Sequence, residues 1–283
     1  MTSATPTLAQ ALAQAHTLGL ARIDAQLLLL HTLARPDAGR AWLLAHDTDA
    51  LDEAAHGQFI ALCQRRLAGE PVAYLTGRKE FYGLPLQVDA RVLDPRPDTE
   101  TLVDWALEVI TPLTSPRVVD LGTGSGAIAL ALQSQRADAQ VLAVDASTDA
   151  LAVAQANAQR LGLPVQFQQA NWLAGVQGPF DAIVSNPPYI PSADPHLAAL
   201  THEPLPALAS GADGLEDIRT IAGQAPAHLR PGGWLLLEHG YDQAQAVQAL
   251  LVAQGFAQVQ SRNDLAGIAR CTGGQWPLAQ TVK

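Results

Sequence analysis

The sequence predicts an α/β protein: a doubly wound, largely parallel sheet preceded by a small helical bundle. Three observations carry the prediction. From Arg117 onward, short apolar runs alternate with longer amphipathic stretches, the pattern of β–α units joined by right-handed crossovers. Before Gly69 the apolar residues instead recur at helical spacing. Around Pro71 this pattern gives way to short extended runs.

Taken in order, residues 1–70 form the expected bundle. Leu8, Ala11, Leu12 and Ala15 share one helix face, and Ala25, Leu28, Leu29 and Leu33 share another. Leu51-Asp52-Glu53 opens a further helix carrying Phe59, Ile60, Cys63 and Leu67. Breaks fall at Leu18-Gly19, Arg35-Pro36-Asp37 and Ala45-His46-Asp47. Residues 71–98 read as a hairpin linker whose two strands run over Glu80–Val88 and Arg91–Leu93. In the loop that follows, Asp98 or Thr99 is placed to cap a helix starting near Glu100. Residues 99–283 carry strands at 117–121, 140–145, 165–169, 180–185, 233–239, 256–261 and 268–272. Helices fall near 126–136, 148–161, 214–229 and 241–254. No helix separates the last two strands, which predicts an antiparallel pair at the sheet edge. Gly273-Gly274-Gln275 just beyond reads as an ordinary glycine turn.

Composition narrows the function classes. A net charge of −10 over 283 residues argues against stable nucleic-acid binding by broad phosphate neutralisation. Two cysteines, Cys63 and Cys271, lack disulfide-framework or metal-ligand spacing and read as buried thiols, so no metal is expected. No apolar run approaches membrane-spanning length and no secretory signal opens the chain. The expectation is a soluble, cytoplasmic protein with no membrane partner.

Two segments carry chemistry. The apolar run 180–185 leads directly into Asn186-Pro187-Pro188-Tyr189. An Asn side-chain carbonyl accepts from an NH2 group, two prolines fix φ and remove two backbone donors, and a Tyr ring gives a planar substrate a flat wall. These residues suit the holding of an amide or amine nitrogen beside a methyl donor. The second segment is Asp120-Leu121-Gly122-Thr123-Gly124-Ser125-Gly126, an apolar strand entering a glycine-rich turn. A dinucleotide fold and an S-adenosylmethionine fold both use such turns. The spacing here lacks the third glycine of the dinucleotide fingerprint, and Asp120 suits a cationic amino-acid tail better than a pyrophosphate. Asp145 ends the next strand, where an acid can accept from ribose hydroxyls or, alternatively, cap the following helix. Asn171 and Trp172 follow the third strand, within reach of an adenine amino group and ring; plain core packing is the rival role for Trp172.

With these motifs in view, the chain resembles the bacterial release factor glutamine methyltransferases. The resemblance spans essentially the whole length. It rests on Phe81-Tyr82-Gly83-Leu84-Pro85, Pro95-Arg96-Pro97-Asp98-Thr99-Glu100, Asp120 to Gly126, Asn186 to Tyr189, and Glu203-Pro204 followed by Ala209 to Leu215. It implies a Rossmann-like, seven-stranded S-adenosylmethionine-dependent methyltransferase domain behind a helical bundle. It also implies N5-methylation of the glutamine in the Gly-Gly-Gln motif of peptide chain release factors, with Asn186, Pro187, Pro188 and Tyr189 on that glutamine. S-adenosylmethionine would be held by Gly122, Thr123, Gly124, Ser125, Gly126, Asp145 and Trp172, with Asp120, Asn171 and Asn186 as further expected contacts. His202 departs from the aromatic residue that often stands there in that family. Three rival readings stand beside it: a glutamine methyltransferase of a ribosomal protein, a nucleic-acid exocyclic-amine methyltransferase, and a non-catalytic adaptor.

Overall fold

The structure, a computed structural model, describes residues 5–278. The chain divides into two compact units between Arg78 and Lys79. The first holds α1 (Leu8–Thr17), α2 (Arg22–Thr32), α3 (Arg40–Ala45), α4 (Glu53–Leu67) and α5 (Val72–Thr76). Local chemistry sets the starts. Thr7 and Gln10 form a reciprocal capping box on α1, and the Asp52 carboxylate accepts from the Ala55 N–H at 2.8 Å on α4. Leu8, Leu28, Leu29, Phe59 and Cys63 pack together with almost no exposure. Burial pushes the Cys63 thiol up to about 11. Helix α5 lies in the stretch expected as linker and belongs to this unit.

The hairpin is shorter and earlier than its expected strands. It pairs β1 (Arg78–Phe81) with β2 (Leu84–Gln87), so the turn falls inside the run taken as one strand, and residues 91–93 form no strand. Tyr82 and Gly83 both adopt positive φ, 52° and 77°, which is what a two-residue hairpin turn matching strand twist requires. The Glu80 carboxylate secures the turn by accepting from the Gly83 N–H at 2.6 Å.

The second unit continues with α6 (Glu100–Ile110), β3 (Arg117–Leu121), α7 (Ala127–Gln135), β4 (Gln140–Asp145), α8 (Thr148–Leu161), β5 (Gln166–Gln169), β6 (Phe180–Ser185), α9 (Glu216–Gln224), β7 (Leu229–Glu238), α10 (Ala244–Ala253), β8 (Ala257–Asn263) and β9 (Ala269–Gln275). The sheet order is β5-β4-β3-β6-β7-β9-β8. Strands β3 to β7 run parallel, while β9 pairs antiparallel with both β7 and β8. The last two strands are therefore the antiparallel pair expected, with β8 outermost. From β3 the chain winds outward through β4 and β5, then returns to β6 on the other side. This reversal opens a crevice at the carboxyl ends of β3, β4 and β6.

Of the boundaries that differ from the sequence expectation, two have a clear local cause. Helix α9 stops at Gln224 and a 3₁₀ turn follows over 225–227, because Pro226 cannot donate to a continuing α-helix. Strand β7 starts at Leu229 rather than 233, with a register shift against β6 at the Pro231-Gly232-Gly233 stretch.

Gly273-Gly274-Gln275 is not a turn but the C-terminal end of β9. A Cβ at Gly273 would stand 2.5 Å from Leu236 Cδ2 and 2.8 Å from Trp105 Cη2; one at Gly274 would stand 2.9 Å from Phe256 Cβ. The Gln275 amide donates to the Gly232 carbonyl at 2.9 Å and accepts from Gln258 at 2.6 Å. Close packing accounts for the glycine pair. Gly273→Ala is expected to destabilise the protein by about 1–3 kcal/mol through overpacking. Denaturant unfolding of the variant beside the parent checks this.

Candidate active site

Strand β3 delivers the chain into the glycine loop at the crevice. The Gly122 and Thr123 N–H groups both donate to the Val144 carbonyl, at 2.8 and 3.0 Å, which pins the loop to β4. Gly122 has φ of 70°, and a Cβ there would press on the Trp172 ring at 3.2 Å. Gly126 opens α7 at φ of 84°, where a Cβ would meet Leu130 Cδ1 at 3.0 Å. Left-handed backbone and close approach together account for glycine at both positions.

Asp120 lies behind this loop rather than on the cleft wall. It is fully buried. Its Oδ2 accepts from the Thr123 hydroxyl at 2.6 Å and the Ala129 N–H at 3.2 Å, while Oδ1 has no hydrogen-bond partner among the described residues. Burial pushes the Asp120 carboxyl up to about 7, against the pull of those two donors. Ser125 is held from the other side, its carbonyl accepting from Asn157 Nδ2 on α8 at 3.0 Å.

Asp145, at the end of β4, faces the cleft. Oδ2 accepts from the Gly124 N–H and Oδ1 from the Ser147 N–H, both at 2.9 Å. The cap of α8 is Ser147 and not Asp145, which leaves the carboxylate bridging two loops of the cleft rim. Trp172 follows β5 with φ of 52°, its Nε1 donating to Asp217 Oδ1 at 3.1 Å.

Strand β6 supplies the facing wall. The Ser185 hydroxyl donates to the Leu121 carbonyl at 2.7 Å, locking β6 to β3 one residue before the motif. The Asn186 Nδ2 donates to Thr99 Oγ1 at 3.2 Å, and its Oδ1 has no hydrogen-bond partner among the described residues. Thr99 occupies the N-cap position of α6, yet its side chain does not cap that helix. It serves Asn186 instead, so neither Asp98 nor Thr99 caps α6 with its side chain. Pro187 is buried; Pro188 and Tyr189 are partly buried. The Tyr189 carbonyl accepts from Gln243 Nε2 at 3.0 Å. Burial drives the Tyr189 phenol above its ordinary range.

Together these walls enclose a cleft of about 360 Å³. Gly122, Gly124, Asp145, Asn171, Trp172, Asn186 and Pro188 line it; Asp120, Thr123, Ser125, Gly126, Pro187 and Tyr189 stand outside the lining. Val92, Leu93, Pro204, Pro206 and Ala207 add apolar surface, and Arg91 and Asp217 add charge. Arg91 is occupied by Asp89, with bonds of 2.9 and 2.6 Å. Sequence reasoning assigned no role to Asp217, Gln243 or Glu238. Glu238 was legible by the signal that found Asp145, an acid ending an apolar strand; Asp217 and Gln243 carry no such signal.

A glycine loop on β3, an acid ending β4 and Asn-Pro-Pro-Tyr after β6, gathered at one cleft, define a Rossmann-like methyltransferase. Comparison with known proteins agrees. Residues 7–77 match the PrmC N-terminal domain family and residues 99–203 the methyltransferase small domain family. A release factor glutamine methyltransferase from Xylella fastidiosa is 50% identical over 94% of this chain and 98% of its own length. One from Burkholderia pseudomallei is 49% identical over 90% of this chain and 92% of its own. The crystal structure of a methyltransferase from Pyrococcus furiosus shares the fold, with a TM-score of 0.53 at 18% identity, over 76% of this chain and 98% of that one. The chain belongs to the release factor glutamine methyltransferase family.

The Asp120 carboxyl gives a pH prediction. Its folded pKa is raised from 3.8 to about 7, so the stability linked to it is fully present below about pH 4 and is lost as pH rises through about 7. The loss is on the order of 2–4 kcal/mol. Asp120→Asn is expected to lose less stability than the parent between pH 5.5 and pH 8, read from denaturation midpoints.

Proposed function

We propose that this protein transfers a methyl group from S-adenosylmethionine to the side-chain amide nitrogen (N5) of the glutamine in the Gly-Gly-Gln motif of peptide chain release factors. The observation that carries the reading is the state of Asn186, a residue that lines the glycine-loop cleft: its Nδ2 is held by Thr99 while its Oδ1 has no hydrogen-bond partner among the described residues. Family membership supports the same reaction and the same partner.

The cleft fits the donor. A sulfonium attached to adenosine and an amino-acid tail is cationic, presents a flat adenine ring and ribose hydroxyls, and is free of phosphate. The lining offers the acids Asp145 and Asp217, a tryptophan ring and prolines, with its one arginine already paired to Asp89. Asp145 retains lone-pair sites for ribose hydroxyls beyond the two backbone bonds it accepts. Asn171 and Trp172 would hold the adenine, and the Gly122–Gly126 loop the amino-acid end, with Asp120 fixing that loop from behind. Bound S-adenosylmethionine supplies an electrophilic methyl group on sulfur.

The protein's own task is to prepare the nucleophile. A carboxamide nitrogen is weakly nucleophilic because its lone pair is delocalised into the carbonyl. Asn186 Oδ1 and the Pro188 carbonyl would accept its two N–H bonds and fix the NH2 plane toward the methyl. Orientation of this kind is worth several kcal/mol of barrier. As the N–C bond forms and the S–C bond breaks, the N–H bonds grow more acidic, so both acceptors bind more strongly in the transition state than before it, and one N–H proton is released to water to leave the neutral N-methyl amide. Two prolines suit the site because they leave carbonyls without competing N–H donors. Tyr189 would pack against the glutamine's methylene chain. The helical unit, residues 1–70 by the sequence reading, would supply protein–protein contact that a single glutamine cannot.

Labelled S-adenosylmethionine, offered with unmethylated release factor and with total RNA in parallel, tests the reading. Label on the Gly-Gly-Gln glutamine, located by mass spectrometry, is the expected product; label confined to RNA overturns the assigned substrate. Asn186→Ala should lower kcat by at least about 100-fold. Its donor Kd, measured by calorimetry, should change by less than about threefold.

A further inference from the structure

Trp172 stands in a backbone conformation that a bulky side chain rarely adopts: its φ of 52° lies in the left-handed region. Such an outlier persists only where its surroundings over-determine it, and outliers of this kind cluster at binding and catalytic sites. Helix α9 supplies those surroundings from both of its ends. In its last turn, Gln224 Oε1 accepts from the Leu173 N–H at 2.9 Å. In its first turn, Asp217 Oδ1 accepts from the Trp172 Nε1–H at 3.1 Å. Asp217 is itself fixed, its N–H donating to the hydroxyl of the buried Ser210 at 2.9 Å. The far edge of the indole meets the glycine loop, where a Cβ at Gly122 would come within 3.2 Å of Cζ3 and 3.6 Å of Cη2. A hydrogen bond thus holds one edge of the ring and close packing the other, while Trp172 and Asp217 both line the cleft.

We infer that Asp217 is a positioning residue that acts through Trp172, fixing the angle of the indole against which the adenine of the methyl donor is set. The inference rests on the reading of Trp172 as a wall for that adenine. An indole turns about two side-chain torsions, the second of them broad, so packing at one edge leaves the ring free to rock about that edge. Its single N–H is its only polar handle, and one acceptor at the other edge removes the freedom. Stacking of two flat rings depends on their offset and tilt, so a rocking wall binds the adenine less well than a fixed one. A plainer role for Asp217 is to favour the start of α9, as an acid does in a first helical turn. Glu216 already provides an acid there, and helix stability gives no account of the bond to the indole. Adenine lies remote from the methyl being transferred, so loss of this support belongs in donor binding rather than in the chemical step.

Asp217→Ala is expected to weaken the Kd for S-adenosylmethionine about 10-fold by calorimetry, and to raise its KM comparably, while kcat at saturating donor stays within about twofold. Asp217→Asn removes the charge but keeps an oxygen that accepts, and its donor Kd should lie within about threefold of the parent. Trp172→Phe keeps a ring without the N–H. In that background Asp217→Ala should change donor Kd by less than about twofold, because the bond it removes is already gone. Weakening of α9, or direct attraction between the Asp217 charge and the cationic donor, would cost as much in one background as in the other. Equal losses in the two backgrounds therefore overturn the inference, as does a loss in Asp217→Asn as large as that in Asp217→Ala. An unaltered donor Kd in Trp172→Ala overturns instead the reading of Trp172 on which the inference rests.

Discussion

The parallel run of β4, β3 and β6 is the constraint on which the site depends. Because these neighbours share one direction, their carboxyl ends fall at the same edge of the sheet, and the chain reverses its winding between β3 and β6. A cleft then opens there without any dedicated structure. Each strand end delivers one component: the glycine loop from β3, Asp145 from β4, Asn186 from β6. The bond from Ser185 to the Leu121 carbonyl fixes the spacing between two of the three.

Behind the cleft lies a layer of residues that never reach it. Asp120 holds Thr123, Asn157 holds Ser125, Gln243 holds the Tyr189 carbonyl, and Thr99 holds Asn186. The orientation catalysis proposed above would call for this arrangement, since a weak nucleophile gains from being held and loses steeply when its acceptors wander. One of the supports is a buried carboxyl, Asp120, pushed up to about 7 by its surroundings. Stability is given up at that position for the sake of geometry.

Much of the fold was legible because its signals are local. The strands 117–121, 140–145 and 180–185 are apolar runs between clear breaks and appear as β3, β4 and β6. The misses were equally local in cause. The hairpin was misplaced because a Tyr-Gly turn with two positive φ angles hides inside an extended-looking run. The glycine pair at 273–274 read as a turn, although its small size answers to Leu236, Trp105 and Phe256, which are distant in sequence. At the site, the motif residues could be named in advance, but the partner of Thr99 could not. It is set by the meeting of two segments 87 residues apart.

In the proposed mechanism the Asn186 amide presents oxygen, not nitrogen, to a substrate amide. A high-resolution crystal structure of the protein with S-adenosylhomocysteine and a release-factor peptide carrying N5-methylglutamine tests it most directly. The account predicts the methylated nitrogen within hydrogen-bond distance of Asn186 Oδ1, with Nδ2 still on Thr99. A methylglutamine bound away from Asn186, or an Asn186 oxygen turned to Thr99, would contradict it.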